Sequence, residues 1–232
     1  MLISILTLFP EMFDGPLGQS IISRARKKDK VRINLVNIRD YATDSYKTVD
    51  DRPYGGGLGM ILKVDVVDAG LRRILAGSGV VRSDTRVILL DPQGKRFRQR
   101  DAVRLAGYRH LVLIAGHYEG VDDRIRKLSD EEISVGDYVL TGGELPAMVI
   151  TDSVIRLLPG VLREVKTTSS ESFSDPKILE YPQFTRPPDY RGMKVPEILL
   201  SGNHARIAAW RNRKARSVTR SKRPDLNRRS SK

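Results

Sequence analysis

Three short apolar runs, each followed by a turn that contains glycine, lie within about sixty residues of one another in this 232-residue chain. The three segments are ILLDPQG (Ile88–Gly94), LVLIAGHYEG (Leu111–Gly120) and VGDYVLTGGELP (Val135–Pro146). Apolar runs of this length that end at Gly or Pro predict buried strands. Ligands of an open α/β sheet bind at the carboxyl ends of its strands, and glycine lets main chain approach a ligand closely. The sequence therefore predicts a small-molecule site, built largely from main chain, where the three turns meet.

Strand and helix signals alternate as far as residue 162, and this alternation predicts an α/β fold with a mostly parallel sheet covered by helices. The predicted strands are Leu2–Phe9, Val31–Asn37, Arg86–Leu90, Leu111–Ala115 and Ile133–Leu140. The predicted helices are Pro10–Arg26, Val64–Leu75, Arg98–Ala106 and Leu145–Leu158. The length allows one core with an appendage or two small domains.

The character of the sequence changes after residue 162. Residues 163–180 are polar and rich in Ser and Thr, which predicts a long interdomain linker, a kind of segment that is usually functional or mobile. Residues 181–232 begin with a proline-rich stretch and continue into a helix that Ser201 or Asn203 can cap. The spacing along that helix predicts an inward face of Ile207 and Trp210 and an outward face of Arg206, Arg213 and Lys214.

The net charge of +13 is concentrated at the carboxyl end. From His204 to Lys232 there are eleven Lys or Arg and one acid, a net charge of +10, whereas residues 1–203 carry thirty against twenty-seven, a net charge of +3. Such a concentration is typical of a surface that binds a phosphate backbone. A solvated basic tail without a ligand is the alternative that charge alone leaves open.

Composition excludes several kinds of site. The chain has no cysteine, so disulfides, thiolate nucleophiles and cysteine-ligated zinc are excluded. No two of its three histidines have helical ligand spacing, so no transition-metal site is expected. The amino-terminal MLISILTLFPEMF lacks a cationic start and meets Pro10 after a short apolar run, which predicts a first strand rather than a signal peptide. No stretch approaches the length of a membrane span, and a soluble cytoplasmic protein is expected.

Several polar motifs leave two interpretations open. The segment DDRPYGGGLGM (Asp50–Met60) lacks the spacing of a dinucleotide fingerprint, so it is either a flexible loop or a loop that admits a flat or anionic group beside Arg52. In GHYEG, Glu119 is either a solvated turn residue or a ligand contact, and TGGELP serves either tight packing or a ligand. Arg156 lies four residues after an aspartate, the spacing of a surface ion pair, and Asp175 by itself is an ordinary linker carboxylate.

Taken together, these segments resemble the bacterial tRNA (guanine-N1-)-methyltransferases of the SPOUT class. The matching motifs run in family order: DDRPYGGGLGM, LDPQG, AGHYEGVDDRI, VGDYVLTGGELPAM, DSVIRLLPGVL, ESFSDPKILEYPQFTRP and VPEILLSGNH. The amino-terminal ISILTLFPEMF and the carboxyl-terminal KRPDL also fit, so the resemblance spans essentially the whole chain. The combination is highly specific, although no single motif would be sufficient.

The resemblance implies a catalytic domain (residues 1–162) with a parallel sheet and a deep trefoil knot, a linker (163–180) and a small, mainly helical tRNA-binding domain (181–232). Such a knot is one of the rare exceptions to unknotted topology. In the family it holds S-adenosyl-L-methionine, and the enzymes are homodimers with a composite active site. By position, the cofactor-binding residues are Leu89, Leu90, Pro92, Gly116, Tyr118, Glu119, Gly120, Val135, Gly136, Asp137, Tyr138, Val139, Leu140, Gly142, Gly143 and Pro146.

The resemblance also implies the reaction, which is methylation at N1 of the guanine immediately 3′ of the anticodon (position 37) in tRNA, with S-adenosylhomocysteine as the other product. Asp175 matches the family's base, and Arg156 matches the cation that faces the guanine O6. The implied RNA contacts are Asp51, Arg52, Gly55 and Gly59 in the loop and Arg206, Arg211, Arg213 and Lys214 in the tail. Mg²⁺ is a possible further requirement that is assigned to no residue.

Two positions depart from the family pattern. Asp175 is followed by Pro176 where glycine is usual, and proline biases the residue before it to extended conformations. Leu58 stands where proline or alanine is usual. Neither change removes a reactive group. Two alternatives from other classes remain open: a SPOUT methyltransferase that acts on ribosomal RNA or at a ribose 2′-hydroxyl, and a non-catalytic basic RNA-binding protein.

Overall fold

The computed structural model describes residues 1–162 and 170–227 of the chain. The chain divides at residues 163–164 into two compact units. The first unit contains the predicted strands and three glycine-bearing turns, and the second contains the proline-rich stretch and the basic helix. In the described part of the chain, no helix is both long enough and apolar enough to cross a membrane.

A five-stranded parallel sheet forms the centre of the first unit, and the predicted α/β class with a parallel sheet is confirmed. The strands of this unit are β1 (Leu2–Thr7), β2 (Arg32–Asn37), β3 (Asp50–Asp51), β4 (Ile61–Leu62), β5 (Thr85–Arg96), β6 (His110–Ala115) and β7 (Glu131–Ser134). Five of them are ordered β2-β1-β6-β5-β7 in the sheet, and β3 and β4 form a separate antiparallel pair.

Helices cover both faces of the sheet. The α-helices are α1 (Asp14–Gly18), α2 (Ser20–Lys27), α3 (Val64–Gly77), α4 (Gln99–Leu105) and α5 (Glu144–Ile155), and 3₁₀ helices occupy Pro10–Phe13, Ile38–Tyr41, Arg82–Asp84 and Asp123–Leu128. Alternate residues of β5 enter different clusters, because Ile88 and Leu90 pack with α1, α2, α4 and α5, whereas Val87 and Leu89 pack with α3. Burial on both faces explains why the central strands are continuous apolar runs.

Three predicted elements differ clearly from the observed ones. The predicted strand Arg86–Leu90 is too short, since β5 continues to Arg96, and its pairing with β7 is irregular between Leu90 and Lys95. The predicted helix Pro10–Arg26 is divided into the 3₁₀ helix, α1 and α2; α1 (DGPLG) contains two glycines and a proline, which favour helix poorly, and Gln19 between α1 and α2 has an extended backbone (φ −126°, ψ 171°). The predicted strand Ile133–Leu140 was wrong in its extent, since β7 ends at Ser134. The Ser134 hydroxyl donates to the Gly136 carbonyl (2.9 Å) and accepts from the Gly136 amide (3.2 Å), and these local bonds replace the ladder of the sheet.

The second unit contains two short strands and two helices in its described residues. They are β8 (Asp189–Tyr190), β9 (Met193–Lys194), α6 (Glu197–Leu200) and α7 (His204–Lys222), followed by a 3₁₀ helix at Pro224–Asn227. Of the two predicted caps of α7, Asn203 is the one observed, since its side chain accepts from the Arg206 amide at 3.1 Å. Trp210 is buried and Ile207 is half-buried, as predicted for the inward face of the helix.

Candidate functional site

A cavity of about 370 Å³ lies where the three glycine-bearing turns meet, beside the irregular part of β5 after Leu90 and the carboxyl ends of β6 and β7. All but two of the expected cofactor residues line it: Leu90, Pro92, Gly116, Tyr118, Glu119, Gly120, Val135, Gly136, Tyr138, Val139, Leu140, Gly142, Gly143 and Pro146. Of the two others, Leu89 lies in the core beneath α3, and Asp137 pairs with Arg96 on the surface. The three turns therefore form one concave site.

Main chain approaches main chain closely at one end of this cavity. The amide of Gly143, at the start of α5, donates to the carbonyl of Gly116 at 2.7 Å. A β-carbon built on Gly143 would lie 2.7 Å from both the Ala115 Cα and the Gly116 nitrogen, well inside an ordinary carbon contact. His117 and Gly142 form an isolated β-bridge beside this contact. The second and third turns are thus held together by their backbones, with no space for a side chain at position 143.

A polar cluster around the buried Glu144 carboxylate connects these two turns to the end of β1, and sequence reasoning missed it. The Glu144 carboxylate is 2% exposed and accepts a hydrogen bond of 2.8 Å from the Thr7 hydroxyl at the end of β1. Its second oxygen lies 3.7 Å from Nδ1 of His117, which lines the cavity. An acidic residue at a helix start is favoured by the helix dipole, so the TGGELP motif contained a signal for Glu144. Thr7 and Glu144 are 137 positions apart in the sequence, so no local pattern indicates that they are partners.

Arg126, in the 3₁₀ helix after the second turn, lines the cavity and contacts both β5 and β7, and sequence reasoning also missed it. Its guanidinium lies 3.1 Å from the Asp91 carboxylate in the irregular part of β5 and also contacts Glu132 of β7. A third carboxylate, Asp123, lies 3.1 Å away within the same 3₁₀ helix. Burial lowers the pKa of Arg126, but the negative charges of Asp91 and Glu132 raise it by more, so the pKa lies above its usual value. This charged side chain therefore connects the irregular part of β5 to β7, the strand that precedes the third turn.

The glycine-rich loop between β3 and β4 contacts the second turn. The Glu119 amide donates to the Met60 carbonyl at 3.1 Å, and Gly59 packs directly against the Glu119 side chain. Gly55 and Gly59 have positive φ angles of 85° and 78°, which explains their residue type. The expected RNA-binding residues Asp51, Arg52, Gly55 and Gly59 therefore lie on a loop anchored at the rim of the cavity.

Tyr118 has an unusual backbone at the same rim. Its φ angle is 64°, in the left-handed region that residues other than glycine rarely adopt. Its ring lies edge-on to His117, with the centroids 5.2 Å apart. Burial and the nearby Asp50 carboxylate raise the pKa of the Tyr118 phenol, which keeps this side chain neutral. Strained residues of this kind concentrate at functional sites.

The two expected catalytic residues belong to different units. Arg156 is the C-cap residue of α5 in the first unit, where its amide donates to the Asp152 carbonyl at 3.3 Å. Asp175 is exposed in the second unit. Its carbonyl accepts from the Ile178 amide at 3.0 Å and its carboxylate from the Lys177 amide at 2.9 Å, so Asp175 begins a tight turn with Pro176 in the second position. Proline is favoured there, which gives this departure from the family pattern a local role.

The expected basic RNA contacts are exposed along α7. They are Arg206, Arg211, Arg213 and Lys214. Arg211 lies over the ring of Tyr181, 4.9 Å from its centroid, and Lys214 lies 6.0 Å from the centroid of Trp210. Within residues 1–162 and 170–227, no group of three or more His, Asp or Glu side chains is placed to hold a metal ion.

Comparisons with known proteins agree with this arrangement. The sequence matches the tRNA (Guanine-1)-methyltransferase TrmD family over residues 1–229. The tRNA (guanine-N(1)-)-methyltransferase of Geobacillus kaustophilus strain HTA426 is 55% identical over 227 residues, which cover 97% of this chain and 91% of the relative. The protein of the same name from Geobacter sulfurreducens is 54% identical, over 96% of this chain and 89% of the relative. The one from Bacillus subtilis strain 168 is 53% identical, over 97% of this chain and 92% of the relative. The chain belongs to the tRNA (guanine-1)-methyltransferase family.

Proposed function

We propose that this protein transfers a methyl group from S-adenosyl-L-methionine to N1 of the guanine immediately 3′ of the anticodon, position 37, in tRNA. The observation that supports this most directly is the cavity whose walls are the three turns that match the family. The names of the relatives give the reaction and the substrate class. Because the substrate is tRNA, the proposed reaction belongs to the cytoplasm.

The cavity fits S-adenosyl-L-methionine in size and in chemistry. Its volume of about 370 Å³ lies in the range of small-molecule sites. Leu90, Val135 and Leu140 offer apolar surface for the adenine, and Glu119 offers a negative charge to the cationic methionine portion. When bound, the cofactor supplies a methyl group that its sulfonium already activates. The remaining task of the protein is to deprotonate and position the guanine.

We assign the base to Asp175 and the charge-stabilising cation to Arg156. N1 of guanine carries a proton and becomes nucleophilic when that proton is removed, so a carboxylate must accept it. Asp175 presents an exposed carboxylate on a tight turn. Loss of the proton places negative charge on O6, and a guanidinium directed there lowers the barrier. Arg156 supplies that group from the end of the helix whose start lines the cavity.

We further propose a homodimer in which the second unit of one subunit serves the cavity of the other. The resemblance to the family is the support for this arrangement, as it is for a deep trefoil knot in the first unit. In this proposal residues 1–162 are catalytic, residues 163–180 form the linker that carries the base, and residues 181–232 bind tRNA.

Methyl transfer from labelled S-adenosyl-L-methionine to two tRNA transcripts tests the substrate. We expect label, recovered as 1-methylguanosine, on the transcript with guanine 3′ of the anticodon and none on the transcript with adenine there. Label in ribosomal RNA or at a ribose hydroxyl would identify a different SPOUT reaction. Failure to bind the cofactor would leave only the non-catalytic RNA-binding alternative.

The role of Asp175 is tested by Asp175→Asn. We expect turnover to fall by about 100- to 10,000-fold, since an amide cannot accept the N1 proton, while cofactor affinity stays unchanged. Asp189→Asn is a matched control, because Asp189 is also exposed in the second unit and also accepts a backbone amide, from Gly192 at 2.8 Å. Equal turnover of the two variants would refute the assignment of the base.

A further inference from the structure

A second cavity, which we call the aromatic pocket, lies entirely within the second unit. Its volume is about 740 Å³, and its walls are the proline-rich stretch before β8 and helices α6 and α7. Aromatic, prolyl and aliphatic side chains dominate the lining, among them Tyr181, Phe184, Pro188, Leu200, Ile207 and Trp210. The cofactor cavity and the catalytic assignments involve none of these residues. The aromatic pocket is therefore a separate feature of the molecule.

The lining of the aromatic pocket combines a buried floor with exposed flat groups. Trp210 is 6% exposed and forms the floor, and the ring of Phe184 stands 6.4 Å from it, tilted by 56°. Phe184 is 49% exposed and Leu200 is 62% exposed. Apolar side chains grouped on a surface in this way mark a binding site more often than isolated ones do. About half of Phe184 is therefore accessible to a ligand.

The charge around the aromatic pocket identifies the class of that ligand. None of the described residues that line it is acidic, and the two charged ones are Arg186 and Arg211. The exposed cations of α7, Arg206 and Arg213, continue the positive surface along the same helix. Flat aromatic faces beside arginines are the combination that proteins use to stack unpaired nucleobases and hold the adjoining phosphates. An apolar protein segment would use the same flat surface but would gain nothing from the cations.

We propose that the aromatic pocket binds an unpaired nucleobase of the RNA substrate by stacking on Phe184, with its flanking phosphates held by Arg186 and Arg211. Gln183 and Thr185, which also line the pocket, provide polar groups for the edge of the base. This inference rests on the proposed function in so far as tRNA is the source of the nucleobase. It adds a site in the second unit that recognises RNA by stacking in addition to charge.

The chain provides its own reporter for the aromatic pocket, because Trp210 is its only tryptophan. The full-length protein is titrated with a single-stranded oligoribonucleotide, with an oligoribonucleotide of the same length that lacks one base, and with the tRNA transcript. We expect the intact oligoribonucleotide to change Trp210 fluorescence and to bind more tightly than the abasic one, although the two carry equal charge. Equal affinity and equal fluorescence change would overturn the proposal and favour a protein partner for this surface.

Substitution of Phe184 completes the test. We expect Phe184→Ala to weaken binding of the intact oligoribonucleotide and of tRNA by about 5- to 100-fold, whereas Phe184→Tyr, which keeps the ring, binds normally. Tyr190→Ala is the matched control, since Tyr190 is 52% exposed in the same unit and does not line the pocket. Unchanged affinity of Phe184→Ala overturns the inference and leaves the proposed function intact if the wild type methylates tRNA. If the wild type shows the base-dependent fluorescence change but no methyl transfer, the proposed function fails and the pocket stands.

Discussion

Replacement of Gly143 by alanine tests whether the cofactor cavity depends on contact between backbones. Gly143 is buried as the N-cap of α5, and its φ and ψ angles of −81° and −1° are accessible to any residue. Backbone strain therefore contributes nothing to the effect of the substitution. The added methyl group would meet the Cα of Ala115 and the amide nitrogen of Gly116, each at 2.7 Å, and the Ala115 carbonyl carbon at 3.0 Å. All three atoms are main chain, and no side-chain rotation can relieve the overlap.

The size of the effect follows from these distances. Carbon atoms in van der Waals contact lie about 3.5–4.0 Å apart, so the start of α5 must move away from the end of β6 by about 1 Å. Overpacking of a core by a methyl group costs about 1–3 kcal/mol, and we expect the upper part of that range because backbone must move. The same displacement weakens the 2.7 Å hydrogen bond from Gly143 to Gly116 and widens the cavity. A misplacement of about 1 Å in an active site can lower the rate about 100-fold.

Urea unfolding followed by far-ultraviolet circular dichroism measures the stability change, since the only tryptophan lies in the second unit and Gly143 lies in the first. Cofactor affinity and methyl transfer are measured on the same variant. Gly77→Ala is the control, because Gly77 ends α3 with nothing within 4 Å of an added β-carbon, and we expect it to leave stability unchanged or slightly raised. If Gly143→Ala matches the wild type in stability and cofactor affinity, the turns do not depend on this backbone contact.

Two further predictions concern charged groups of the first unit. Arg126→Lys should raise the KM for the cofactor about tenfold with little change in kcat, because one ammonium cannot reproduce the guanidinium contacts to three carboxylates. Arg124→Lys is the control, since its partner Asp122 lies only two residues away. Equal KM values for the two variants would count against this role of Arg126. Burial lowers the pKa of His110 to about 4, so the folded protein excludes a proton that the unfolded chain binds below about pH 6.5. Stability should therefore fall by about 2 kcal/mol between pH 7 and pH 5, and urea unfolding of His110→Gln should show a smaller fall.

The framework of the first unit could be predicted because its signals are local. Apolar runs bounded by glycine or proline located the five strands of the sheet, and four of them start within one residue of the prediction. The rule that ligands bind at the carboxyl ends of parallel strands then brought the three turns together without knowledge of the strand order. Where local signals conflicted, prediction failed. In the predicted helix Pro10–Arg26 the chain remains helical through Asp14–Gly18 but becomes extended at Gln19, and after Ser134 apolar residues continued although the strand did not.

The polar supports of the site could not be predicted, because their partners are distant in sequence. Glu144 receives its hydrogen bond from Thr7, and Arg126 contacts Asp91 thirty-five positions away. Each of these residues looks like an ordinary surface or capping residue when its neighbours in sequence are the only context. These partners meet because the strand order β2-β1-β6-β5-β7 places segments that are distant in sequence next to one another in the sheet.

The two kinds of contact around the cavity have complementary consequences for the chemistry proposed here. Turns made of glycine and main chain leave space for a ligand, but they present few side chains that could fix their own positions. Their geometry must then be fixed by residues of other elements: Glu144 does this from a buried position that does not line the cavity, and Arg126 does it from the cavity wall through its contacts to Asp91 and Glu132. Because both are held by charged or hydrogen-bonded partners with little exposure, the low dielectric around them strengthens these contacts. A site that orients a methyl donor through its backbone therefore depends on polar residues whose hydrogen bonds and ion pairs are made to other parts of the protein.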